Sequence, residues 1–306
     1  MNMEETLTLT AWMAAPAFFG LLGLAALGSP LVALLGEIAA NTKKRVFYDK
    51  YGQQTAAMGL SLLIVTIAVY VVGGFLAVNR RPQLMDSFHP MTPESMIAMG
   101  ALATFVLFAA VQALTWKKLR TSKGLHISIG VVAALASAIW IALTIPAKLQ
   151  LSLPGAQTAN LAMAESLALP LTVMHVFLLV SAAAGLSLAF LVLRRNKDDF
   201  GRDYYTFSLN LAARWAAISM IAALLCHGWL LAVLPDAART LTMNTPLLFV
   251  WIGAAALALT CIGVWAALAR SKAPLQLKGL AFAALVFLWL AHTCNATLFF
   301  NFMTMM

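Results

Sequence analysis

MHVFLLVSAAAGLSLAFLVLRRNKDDFGRDYYTFSLNLAARWAA, residues 174–217, decides how the rest of the chain is read. Its first part, Met174 to Leu193, carries no formal charge and is about 20 residues long, enough for a helix to cross the roughly 30 Å hydrocarbon core of a bilayer. A charged return, Arg194 to Asp203, follows, and then apolar residues resume. Backbone amides inside lipid must be paired within a helix or a closed barrel, so this pattern is a transmembrane hairpin. Working outward, eight stretches are long and apolar enough to span: about 8–39, 54–77, 95–116, 124–147, 166–193, 205–234, 246–269 and 277–302. The expected fold is an all-α polytopic membrane protein with eight transmembrane helices.

Composition agrees, since 62% of the 306 residues are hydrophobic and only 10% are charged. The net charge of +9 raises the question of a nucleic-acid partner, and its distribution answers it. Fifteen of the 20 basic residues fall after the odd-numbered spans. These include Lys43, Lys44 and Arg45 after the first, Lys117 and Lys118 after the third, and Arg194 and Arg195 after the fifth. The opposite side carries Arg80, Arg81, Lys148 and Arg239, while Arg214 lies within a span. This is the positive-inside pattern, so the basic side reports topology and the partner it implies is the lipid bilayer. It gives a multi-pass chain with both termini outside and the basic loops in the cytoplasm. Glu4 and Glu5 stand where a signal peptide would be basic, so none is expected. Cys226, Cys261 and Cys294 are intramembrane, with no CxxC or CxxCH, which excludes a disulfide framework and covalent c-type haem in this chain.

An internal likeness divides the chain. WKKLRTSK, residues 116–123, and WAALARSK, residues 265–272, share Trp116/Trp265, Leu119/Leu268, Ser122/Ser271 and Lys123/Lys272 at an offset of 149. The same offset pairs Gly130/Gly279 and Trp140/Trp289. Four spans per half give both halves one orientation, hence a parallel repeat of two four-helix bundles. The expected division is residues 1–150 for the first bundle and 151–306 for the second, with the boundary in the outer segment 148–165.

Three histidines in the second half, His175, His227 and His292, fall at about one depth. Each lies eight or nine residues from the outer end of its span, roughly 12–13 Å by the helical rise. Imidazoles in hydrocarbon face the bundle interior and take a partner. A shared ligand for three at one level points to haem, and the bland alternative is a hydrogen bond from each to a neighbouring helix. Phe177, Trp229, Trp251 and Trp289 supply aromatic walls at that level. Elsewhere, His126 reads as interfacial and His89 as a surface residue of the outer loop. Glu37 reads as snorkelling or pairing with Lys43 or Lys44, with a proton-relay role as the alternative. Arg214 reads as a structural pairing with a buried carboxylate. Walker loops, HExxH and Ser-His-Asp arrangements are absent from the sequence, which leaves hydrolase or nucleotide chemistry no foothold.

Three hairpins together resemble subunit I of the cytochrome bd quinol oxidases. Residues 18–54, FFGLLGLAALGSPLVALLGEIAANTKKRVFYDKYGQQ, resemble that family's first helix and its basic-aromatic turn. Residues 114–142, LTWKKLRTSKGLHISIGVVAALASAIWIA, are similar to its third-to-fourth connection. Residues 174–217 resemble the helix in which a Met-His pair precedes small residues. The resemblance implies that His175 is an axial ligand of low-spin haem b. This sequence also departs from the family. Phe19 stands in the region of the first-helix ligand histidine, the third span has no carboxylate beyond Glu94 at its lip, and no Met lies between Met243 and Met303 to match the seventh-helix methionine ligand. The sixth-to-seventh connection is about ten residues, where the family has a long quinol-binding loop.

These features imply a membrane electron-transfer subunit carrying haem b, one or two, near the outer face and lacking the oxygen-reducing site, so not an oxygen reductase on its own. His175 and His292 are the expected ligands of the haem iron, with His227 as the other candidate. Expected partners are other membrane or periplasmic redox subunits, including a c-type cytochrome. The alternative is a haem-free anchor or scaffold subunit of a respiratory complex. A solute transporter is suggested only by the repeat and lacks a matched pair of Gly/Pro-interrupted spans.

Overall fold

The computed structural model of the protein describes residues 2–80, 92–151 and 158–305. Residues 81–91, His89 among them, and 152–157 of the outer segments lie outside the described residues. The helices are α1 (Met3–Lys43), α2 (Val46–Arg80), α3 (Pro93–Thr115), α4 (Lys123–Leu151), α5 (Thr158–Asp198), α6 (Arg202–Val233), α7 (Asp236–Asn244), α8 (Leu247–Arg270) and α9 (Lys278–Met305). A 3-10 turn, Pro274–Leu277, precedes α9. Among the described residues there is no strand, and every helix except α7 is long and apolar enough to cross a membrane, eight in all. The chain is therefore an all-helical, multi-pass membrane protein.

Several helices run past the apolar stretches read from sequence. α1 begins at a capping box in which the Asn2 side chain accepts from the Glu5 amide, and the Glu5 carboxylate accepts from the Asn2 amide. It then continues for 41 residues through Pro16 and Pro30 to a left-handed residue at Lys44, φ 54°. α5 is equally long and runs through Pro170. Pro16 and Pro170 thus lie inside unbroken helices. The connection after α6, read from sequence as a short loop, folds into α7, and Arg239 turns back to donate to the Ala232 and Leu234 carbonyls at the end of α6.

Consecutive helices pack as hairpins, α1 on α2, α3 on α4, α5 on α6 and α8 on α9. α1 and α5 are the most buried spans and pack on each other; α1 also meets α4 and α9, and α5 meets α4 and α9. Their contact is close because Gly28 has no side chain. A Cβ there would lie 2.0 Å from the Leu179 carbonyl oxygen. Without a hydrophobic drive between helices in lipid, such small-residue contact is what lets them attract by packing. At the basic end, a polar clamp ties α2 to α5 and α6. Tyr204 donates to Gln54, Gln54 donates to Asp198, and Arg194 holds Asp198 by two hydrogen bonds. The paired tryptophans of the sequence likeness are both buried at this end, Trp116 against Gly52 and Trp265 against Gly185.

Candidate functional site

α5, α6, α8 and α9 close a ring in which each packs on the next and α9 returns to α5. The three histidines stand on three of these helices, and the structure separates them. On α5, His175 places Nδ1 2.7 Å from the Leu171 carbonyl one turn earlier. A carbonyl only accepts, so Nδ1 carries the hydrogen and Nε2 holds the ring's lone pair. That arrangement fixes the tautomer in the manner usual for a metal-ligating imidazole. Phe299 of α9 approaches the His175 ring edge-on, centroids 6.5 Å apart. His292 lies on the same helix, α9, which packs on α5. It faces α1 at Gly20, where a Cβ would lie 3.2 Å from His292 Nε2.

His227 is placed differently. It is buried on α6 with its ring tilted against Trp251 of α8, centroids 4.5 Å apart, and its Nε2 has no hydrogen-bond partner. Among the described residues, no group of three or more His, Cys, Asp and Glu is gathered so as to hold a metal ion. His175 and His292 thus stand on two helices that pack on each other, α5 and α9, while His227 is turned to the α6–α8 seam.

A cavity of about 20 Å³ lies at His292, its lining including Leu21, Leu178, Met220, Ala258 and Asn295. It is mostly apolar, but Asn295 Oδ1 is buried there with no partner, and the space is enough for about one water molecule. The imidazoles on α5 and α9 are donors of the type that suits haem iron.

The aromatic residues divide in the same way. Trp251 serves His227. Trp289 donates from Nε1 to the Ala14 carbonyl at 2.8 Å and meets Phe18 edge-on, so it fastens α9 to α1. Trp229 is 39% exposed on the outer surface of α6. Phe177 packs against the core. Arg214 is exposed and makes no hydrogen bond or ion pair within the described residues, contrary to the structural pairing expected. Asn210, one turn before it, donates to the Ser271 carbonyl just beyond the end of α8. The start of α6 therefore projects past the end of α8, and Arg214 is only about 6 Å deeper than that level by the helical rise.

A second polar cluster was not anticipated. His126 and Glu37, read from sequence as an interfacial residue and a snorkelling acid, are both buried and hydrogen-bond to each other, Nδ1 to Oε2 at 2.7 Å. Lys43, an expected partner of Glu37, instead donates to the Tyr48 hydroxyl. The available signal was Glu37 itself, an acid six residues inside a helix that sequence alone ended too early.

No protein-family model matches the chain, and no curated protein matches it. Among solved structures it is similar to a bd oxidase from Geobacillus thermodenitrificans, with a TM-score of 0.68 and 13% sequence identity, covering 98% of this chain and 87% of that one. At that identity the likeness is one of fold, and it extends over nearly the whole chain.

Proposed function

We propose that this chain is a membrane electron-transfer subunit similar to subunit I of the bd oxidases, holding haem b near the outer face between His175 and His292. The observation that carries this reading is that His175 and His292 stand on the packed helices α5 and α9, with His175 Nε2 left to coordinate. Haem iron, when bound, supplies a one-electron couple. The chain's own part is to orient the ligands. The Leu171 carbonyl fixes the His175 ring, Phe299 abuts it, and Gly20 leaves the His292 nitrogen uncrowded. The two halves, 1–150 and 151–306, form four-helix bundles meeting at α1 and α5. Both termini face the periplasm of a bacterial inner membrane, and electrons pass to or from a membrane or periplasmic redox subunit such as a c-type cytochrome. A reduced-minus-oxidised optical spectrum of the purified protein tests this directly. Low-spin b-type bands are expected, and a flat spectrum from fully folded protein taken from haem-replete cells overturns the reading.

A haem-free anchor subunit is the second reading, favoured by the cavity of about 20 Å³, which with Asn295 Oδ1 suits a buried water. On that reading the same spectrum is flat.

Neither reading includes oxygen reduction by this chain. α1 presents Gly20 where it faces His292, and the third span carries no carboxylate beyond Glu94. Quinol-driven oxygen uptake by the isolated subunit is expected to match a protein-free control, and uptake well above it contradicts this assignment.

A further inference from the structure

The buried cluster where α1, α3 and α4 meet is made for a proton. His126 Nε2 lies 3.0 Å from the Gln112 carbonyl, which can only accept, so this nitrogen carries a hydrogen. The other ring nitrogen, Nδ1, faces Glu37 Oε2 at 2.7 Å. One proton therefore lies between imidazole and carboxyl, and the pair is neutral whichever of the two holds it. Side-chain exposure is 2% for His126 and 3% for Glu37, so bulk water does not screen the pair.

A purely structural clamp would leave its surroundings satisfied, and these are not. Gln112 is fully buried, and neither its amide oxygen nor its amide nitrogen has a partner in the protein. Its side chain fits against Gly130, one turn beyond His126 on α4, where a Cβ would lie 2.6 Å from Nε2. Leu34, one turn before Glu37, closes the same corner. A buried primary amide with both ends unpaired costs several kcal/mol by order of magnitude, and water is what ordinarily satisfies it. Toward the basic-loop face, Trp116 covers the imidazole edge-on at 4.6 Å. Beyond it Asp49 of α2 and Lys123 of α4 pair at 2.7 Å, partly exposed. The charged groups around His126 are thus Glu37 from α1 and Asp49 from α2, the latter paired with Lys123 of His126's own helix, while Gln112 of α3 and Trp116 just past its end are uncharged.

We propose that Glu37 and His126, with water held at Gln112, form a proton-exchange site that takes up and returns one proton from the basic-loop face. Starting from the neutral pair, loss of a proton leaves carboxylate beside neutral imidazole. Gain of one leaves imidazolium beside carboxylic acid. Asp49 is the surface carboxylate through which the proton enters and leaves. The site lies at the opposite end of the bundle from His175 and His292 and does not depend on haem.

The test is ¹⁵N NMR of the purified, histidine-labelled full chain in nanodiscs, with His126 assigned through His126→Gln. In the wild type the His126 ring nitrogens are expected to gain or lose one proton between about pH 5 and pH 9, the range in which histidine ordinarily titrates. Glu37→Gln removes the partner charge that favours imidazolium, so the proton affinity of His126 falls at least tenfold. Asp49→Asn lowers it by a smaller factor and slows proton exchange. Ring signals that stay constant across that range in the wild type mark the pair as a static clamp and overturn the proposal. So does a Glu37→Gln protein, folded by its remaining spectrum, whose His126 titrates as in the wild type.

Discussion

Alanine at His175 or at His292 is expected to remove at least nine-tenths of the low-spin haem b signal, while His227→Ala leaves most of it. The difference follows from where the rings point. His175 has Nδ1 committed to the Leu171 carbonyl and Nε2 free, and His292 is carried by α9, which packs on α5. If His175 and His292 hold the iron, removal of either would weaken or abolish low-spin haem binding. His227 lies against Trp251, across the α6–α8 seam. His227 is buried and the other two are half-buried, and membrane insertion measured in parallel separates ligand loss from misfolding. Haem lost only from the His227 variant would reverse the assignment.

Gly28→Val should prevent α1 and α5 from packing. The new Cβ would meet the Leu179 carbonyl oxygen at 2.0 Å and its carbon at 2.5 Å, and both are backbone atoms that no rotamer change can move. The cost exceeds the ~1–3 kcal/mol usual for overpacking, because two long helices must separate along their contact. Gly73→Val on α2 is the control, since nothing lies within 4 Å of a Cβ there. Size-exclusion profiles and thermal melts in detergent should show aggregation or a large loss of stability for the first variant. The second is expected within about 0.5 kcal/mol of the parent, as for surface positions elsewhere. Equal behaviour of the two would mean that α1 and α5 do not meet as described.

The eight spans were legible because lipid demands long apolar helices, and nothing in tertiary packing competes with that demand. Helix ends were less so. Composition marks where lipid stops, whereas α1 and α5 continue into the polar zone, which hid the burial of Glu37. α7 is not evident from the sequence because nine residues of mixed polarity between two spans look like a loop until Arg239 is seen capping α6. The depth of the histidines followed from counting residues along each helix. Their facing directions did not, since they depend on which helices are neighbours. Pairwise contact also decided Trp289, which reads as a cofactor wall by depth and holds α1 by geometry. Arg214 was assigned a buried partner on the premise that its helix began at the membrane surface; the Asn210–Ser271 bond shows that it begins beyond the end of α8.

Haem content per chain, measured by pyridine haemochrome on protein purified from haem-replete cells, tests the central claim most directly. The account predicts about one haem b per chain in the wild type, as a single bis-histidine site requires, and less than a tenth of that when His175 and His292 are both replaced. Wild-type protein that folds and purifies without haem, or a double variant that retains it, would contradict the account.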